Sequence, residues 1–108
     1  MAAKAIARLG DTCQGTCYLH DPPQAFTGTF ATNASGKAFC DGLGVVIVEQ
    51  TIANLTCGHH GIPTTGSGLS GTTEGALHRV GDTGRVVEDT SGRSTFVTIT
   101  GSGTSDSL

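Results

Sequence analysis

Apolar positions along this chain fall in short runs, and each run is closed by glycine or a polar cluster. Phe96-Val97-Thr98-Ile99-Thr100 comes close to strict apolar/polar alternation, the period-two pattern of a half-buried strand. Helical spacing of apolar residues is nearly absent, and Thr and Val dominate the runs. The pattern predicts strands over 3–9, 25–32, 37–40, 44–48, 77–80, 85–88 and 94–100, joined by turns. Asp21-Pro22-Pro23 interrupts any ladder, because neither proline can donate a backbone hydrogen bond. Asp41-Gly42, Gly58, Gly61 and two copies of Thr-Gly-Ser-Gly, at 65–68 and 100–103, supply the other turns. The expectation is an all-β chain forming one domain over 1–108, with the polar residues 102–108 fraying.

Three of the runs are related to one another. Arg8-Leu9-Gly10-Asp11-Thr12 and Arg79-Val80-Gly81-Asp82-Thr83 share one core, and Ile47-Val48-Glu49-Gln50-Thr51 keeps the apolar rhythm and the final Thr. The spacing from Thr12 to Thr51 to Thr83 allows about one supersecondary unit per copy. His20 lies eight residues after Thr12, and His59 lies eight after Thr51. Gly-Asp favours a tight reversal, and the Asp side chain is placed to cap nearby backbone N–H groups. Arg8 and Arg79 are expected to pair with these or neighbouring carboxylates.

Composition makes a stable core harder to build. A domain of this size buries only about 65% of the surface of its unfolded chain. Here 17 of 108 residues are glycine, aromatics are 5% and tryptophan is absent. A metal, disulfides or a partner surface must compensate. The formal net charge of −3, with 14% charged residues, leaves no basic patch for nucleic acid. No apolar run approaches the roughly 20 residues that span a bilayer as a helix. The N-terminal residues lack the long apolar centre of a signal peptide, so a reducing cytoplasm is expected. There, four cysteines act as thiols or metal ligands; in a secreted chain they would allow three disulfide pairings. The sequons Asn33-Ala34-Ser35 and Asn54-Leu55-Thr56 are read as chance matches.

The candidate ligands are Cys13, Cys17, His20, Cys40, Cys57, His59, His60 and His78. They cluster as Cys13-x3-Cys17-x2-His20 and Cys57-Gly58-His59-His60, with His78 alone beside Arg79. This is not zinc-finger spacing; it suits a site assembled from separate repeats. Adjacent His59 and His60 point to opposite sides of an extended segment, so at most one ligates. Cys40 reads as a small core residue, and His78 as either a ligand or a satisfied surface histidine. No nucleophile elbow, P-loop or dinucleotide-binding glycine motif is present.

These motifs resemble the PAAR-repeat proteins, whose Pro-Ala-Ala-Arg motif is followed by an apolar residue and Gly-Asp. Ala5-Ile6-Ala7-Arg8-Leu9-Gly10-Asp11 is similar to a first copy, with Ala5 in place of Pro, and Ala76-Leu77-His78-Arg79-Val80-Gly81-Asp82 to a last one. The segment from Cys57 through Gly58-His59-His60-Gly61 to Thr65-Gly66-Ser67 is similar to the family's Cys/Gly-His-Gly loop running into a Thr-Gly-Ser turn. The resemblance implies a small conical β-rich fold of about three pseudo-symmetric repeats around an apical metal. It implies a non-enzymatic spike tip seated, one copy per trimer, on a trimeric β-helical spike protein. The apparatus would be contractile, such as a phage tail or a type VI secretion system. Such a tip is assembled in the bacterial cytoplasm and meets the target membrane transiently. The absence of an appended toxin domain favours a phage tail. The implied cofactor is one ion, Zn2+ or Fe2+, held by three His and one Cys. Carried onto this chain, these are His20, His59 and His78, with Cys57 or Cys17 as fourth ligand. The family's usual first His falls on Gly15, so His20 substitutes from a longer loop. Two rivals stand beside this: a zinc-binding interaction module unrelated to any spike, and a small hydrolase using His, Asp and Ser.

Overall fold

The computed structural model describes residues 5–36, 38–66 and 77–101. The expected strand positions Ala3, Lys4 and Lys37, the Ser67-Gly68 and Ser102-Gly103 turn halves and the tail 102–108 lie outside the described residues. Among the described residues there is no helix, and eight strands follow in order. They are β1 (Thr12–Cys17), β2 (Gln24–Thr32), β3 (Phe39–Cys40), β4 (Leu43–Gly44), β5 (Ile52–Leu55), β6 (His60–Pro63), β7 (Thr83–Val86) and β8 (Thr95–Thr98). Six of them close an antiparallel barrel in the order β1-β2-β5-β6-β7-β8, and β3 pairs only with β4. The barrel is three hairpins laid side by side: β1–β2, β5–β6 and β7–β8. The pairing of β8 with β1 removes the last free edge, the liability of an open sheet.

The three related sequence runs meet where the hairpins begin. Ala7 N–H donates to His78 O (3.0 Å), Val46 N–H to Ala7 O (2.9 Å) and His78 N–H to Val46 O (3.1 Å), a cyclic ring of main-chain bonds. Around it run single bridges, Ile6 to Arg79, Arg8 to Val45 and Ile47 to Leu77. The expected strands over 3–9, 44–48 and 77–80 are therefore corrected: each crosses two others at single residues, and of these runs among the described residues only Gly44, the end of β4, belongs to a ladder. After the ring each run turns in the same way. Gly10 (φ 92°), Glu49 (φ 65°) and Gly81 (φ 91°) occupy equivalent left-handed positions. The next residue donates back in each case, Asp11 to Arg8 O, Gln50 to Ile47 O and Asp82 to Arg79 O. Asp11 and Asp82 carboxylates accept from Arg8 N–H (2.7 Å) and Arg79 N–H (2.9 Å). In the middle copy Thr51 Oγ1 accepts from Ile47 N–H (2.9 Å), so the turn survives without Gly-Asp.

The Thr-Gly-Ser copies are also used alike. Thr65 Oγ1 accepts from Thr83 N–H (2.8 Å) and Thr100 Oγ1 from Thr12 N–H (2.9 Å), each tethering the first residue of a barrel strand. A Cβ on Gly66 would lie 2.4 Å from Leu77 O, and one on Gly101 2.9 Å from Ile6 O, so both glycines permit a close backbone approach to the ring.

The ring separates two cores. Ala7 and Val46 face the barrel interior with Cys13, Phe26, Phe30, Leu55, Val86 and Phe96. Ile6, Val45, Ile47 and Leu77 face the other way and are covered by Cys40 and Ala38 from the β3–β4 arm. That arm turns through Asp41 and Gly42, both at positive φ, and Asp41 Oδ2 accepts from Arg8 Nη1 (2.9 Å). Glycine works inside the barrel as space. Phe96 lies across Gly84 and Gly61, where a Cβ would come within 2.0 and 2.9 Å of its ring. A narrow six-stranded barrel can thus enclose Phe30 and Phe96, edge to face at 6.1 Å, without larger neighbours.

Candidate metal centre

Strands β1, β5 and β7 each leave the ring, and their hairpins turn at the far end of the barrel. Cys17 is the last residue of β1 and His20 lies in the loop 18–23; Cys57 and His59 lie in the tight turn 56–59 between β5 and β6. The pairing of β2 with β5 puts these two turns side by side. One donor atom from each of Cys17, His20, Cys57 and His59 lies within 4.8 Å of the others, a group able to hold a metal ion.

The finer geometry suits a tetrahedral ion. His59 Nδ1 is 3.5 Å from Cys17 Sγ and 3.5 Å from Cys57 Sγ. Metal–sulfur bonds of ~2.3 Å and metal–nitrogen bonds of ~2.0 Å at tetrahedral angles give sulfur–nitrogen edges of about 3.5 Å. His20 Nε2 lies 3.1 Å from Cys57 O. A carbonyl only accepts, so Nε2 carries the proton, and Nδ1 is the nitrogen left with a lone pair for an ion. The His20 and His59 rings are 5.3 Å apart and tilted by 58°. Cys17 is wholly buried and Cys57 is 8% exposed. Burial, and the adjacent Cys17, push the Cys57 thiol up, while the His59 backbone N–H works the other way. A bound cation reverses this balance by taking both sulfurs as thiolates.

The remaining candidates go elsewhere. His78, expected as the third histidine ligand, sits in the ring at the opposite end of the barrel and is fully buried. Its Nδ1 donates to Thr65 O (2.7 Å), and Nε2 accepts from the Thr98 hydroxyl (2.6 Å), so both nitrogens are taken. Burial lowers its pKa against the opposing pull of the Thr65 hydrogen bond and of Asp82, in the direction that favours the neutral ring. It occupies the ring position of Ala7 and Val46, which points inward in every copy. The grouping is thus two Cys and two His, rather than three His and one Cys. His60 faces away and pairs with Glu88 at 2.8 Å. Cys40 packs in the second core, and Cys13 is buried in the first, its thiol pushed up to about 12 by burial.

The third hairpin contributes a support instead of a ligand. In its loop 87–94, Asp89 accepts from the N–H and hydroxyl groups of Ser91 and Ser94. Ser94 Oγ in turn accepts from Tyr18 N–H (2.8 Å), the residue after Cys17. Arg93 lies over the Tyr18 ring at 4.4 Å. The Asp89-Thr90-Ser91 turn signal was available in the sequence, but nothing there ties it to residue 18. The hydrogen bonds from Ser91 and Ser94 hold Asp89 down to about 2, from an ordinary 3.8. A depressed carboxylate stabilises the fold above its unfolded value and loses that contribution as pH falls toward its folded value. Melting temperatures of the Asp89→Asn variant should therefore fall below wild type near neutral pH, and the gap should close between pH 4 and pH 2 (the window set by those two values). A gap constant across that window would contradict this role.

Comparison of the chain with protein-family models, curated proteins and solved structures gives no significant match.

Proposed function

We propose that this chain is the metal-stabilised structural tip of the central spike in a contractile injection apparatus, a phage tail or a related system. The observation that carries this reading is the ring at residues 7, 46 and 78, which relates three sequence copies by one cyclic set of main-chain bonds. One polypeptide thereby carries near three-fold order in its main chain, beneath the β3–β4 arm, a symmetry matched to a trimer at one copy per trimer. At the other end two of the three hairpin loops supply the Cys17–His20–Cys57–His59 group, and the third braces it through Ser94 and Tyr18. Two thiolates and two imidazoles favour zinc, with ferrous iron as the alternative. Four protein ligands leave no open position, so the ion's contribution is structural: it ties loops 18–23 and 56–59 together and stiffens the point. The role is mechanical, not enzymatic. The tip is assembled in the bacterial cytoplasm, carried at the end of the tail, and pressed transiently against the target membrane.

The test is reconstitution. Co-expressed with a trimeric β-helical spike protein, the chain should co-purify, and native mass spectrometry should give one chain per trimer. Three chains per trimer, or no complex with the spike of its own system, would defeat the reading in favour of a free-standing zinc module.

A further inference from the structure

We infer that Cys17 and Cys57 form a redox pair, so that two-electron oxidation joins them in a disulfide that expels the metal and takes over its task of tying the two loops. The inference rests on the metal-centre reading above and adds a regulation to it. Its basis is proximity: both sulfurs touch the same atom, His59 Nδ1, at 3.5 Å, and all four donor atoms lie within 4.8 Å. Disulfide formation requires a sulfur separation of ~2.05 Å. The short turn 56–59, with Gly58 at φ 91°, is the side able to give. Cys40 belongs to the other core, and Cys13, though in the same core as Cys17 and Cys57, lies outside the group of four donors.

Exposure sets the order of events. Cys57 is 8% exposed and Cys17 is fully buried, so a peroxide meets Cys57 first. The Cys57 thiolate attacks one peroxide oxygen and the O–O bond breaks. Hydroxide leaves, takes up a proton and becomes water, and Cys57 is left as a sulfenic acid. Cys17 sulfur then attacks Cys57 sulfur, the S–O bond breaks, and the departing hydroxide takes a proton to give a second water. In sum, two metal-bound thiolates, one peroxide and two protons from solvent yield one disulfide, two waters and the freed ion. Only two imidazoles remain for the ion, which departs. The loops stay joined in either state, by the ion in a reducing compartment and by the covalent bond in an oxidising one.

The test titrates the reduced, zinc-loaded chain with hydrogen peroxide. Zinc release is followed with a coloured chelator, free thiols are counted, and peptides are mapped with tandem fragmentation. The expected result is release of one zinc as two of the four thiols disappear, with Cys17 and Cys57 in one cross-linked product. Dithiothreitol should restore both thiols and zinc binding. In Cys17→Ser the reaction should stop at a Cys57 sulfenic acid that dimedone captures. Zinc release without this cross-link, or thiol loss at Cys13 or Cys40 in step with release, would overturn the inference. A chain that holds no zinc when reduced counts against the metal centre itself, and the peptide map of the same sample still decides whether the two cysteines pair.

Discussion

Removing the proposed metal should lower the melting temperature by about 15–30 °C. An ion present at a thousand times its dissociation constant stabilises the fold by roughly 4 kcal/mol, and each kcal/mol moves the midpoint of a domain near this size by about 4–8 °C. The effect is large because the centre ties two separate loops at the end of the barrel remote from the ring, with Cys17 and Cys57 at the edge of the first core. Cys57→Ser and His59→Ala should copy the chelated wild type and purify with little metal. His60→Ala should stay close to wild type, since its partner Glu88 is also exposed and surface ion pairs contribute ~0–1 kcal/mol. Thermal denaturation followed by circular dichroism, with and without chelator, checks all four proteins. An unchanged midpoint after complete metal removal would mean the cluster holds nothing of consequence.

His78→Ala should destabilise the chain by about 2–4 kcal/mol without changing its metal content. The ring is fully buried, packs edge-on to Phe30 at 5.7 Å, and satisfies both Thr65 O and the Thr98 hydroxyl. Truncation leaves a cavity and strands those two groups, and losses of this size follow from the two effects together. The contrast with His59→Ala is the informative part. Both lose stability, but only His59→Ala should lose metal. Denaturant unfolding paired with elemental analysis separates them, and a metal-free His78→Ala protein would show that the two ends of the barrel are not independent.

Much of the fold was legible in the repeats. Aligning Arg8–Thr12 with Ile47–Thr51 and Arg79–Thr83 matches the structural equivalence residue by residue, including a Glu49 that adopts the left-handed turn of Gly10 and Gly81. The Gly-Asp turns were likewise visible, and so was the convergence of His20 and His59 with one cysteine; that Cys17 and Cys57 both join them, with His78 left out, was not. Strands β1, β5 and β6 were not. β1 and β6 carry Gly15, Gly61, His60 and Pro63, residues that read as turn or ligand chemistry when the partner strands are unseen. Glycine was read as a weakness of the core, whereas Gly61 and Gly84 are the space that admits Phe96. His78 illustrates a further limit. Its neighbour Arg79 and the following Gly-Asp gave its place in the motif, but which way its side chain points is decided by the ring. In every copy the ring turns that position toward the barrel core, away from the hairpin loops.

The most direct test of the whole account is the metal-edge X-ray absorption spectrum of the purified chain. Coordination by Cys17, His20, Cys57 and His59 predicts sulfur and nitrogen in equal numbers, at ~2.3 Å and ~2.0 Å from one zinc or iron. A shell of three nitrogens and one sulfur, or one without sulfur, would contradict it.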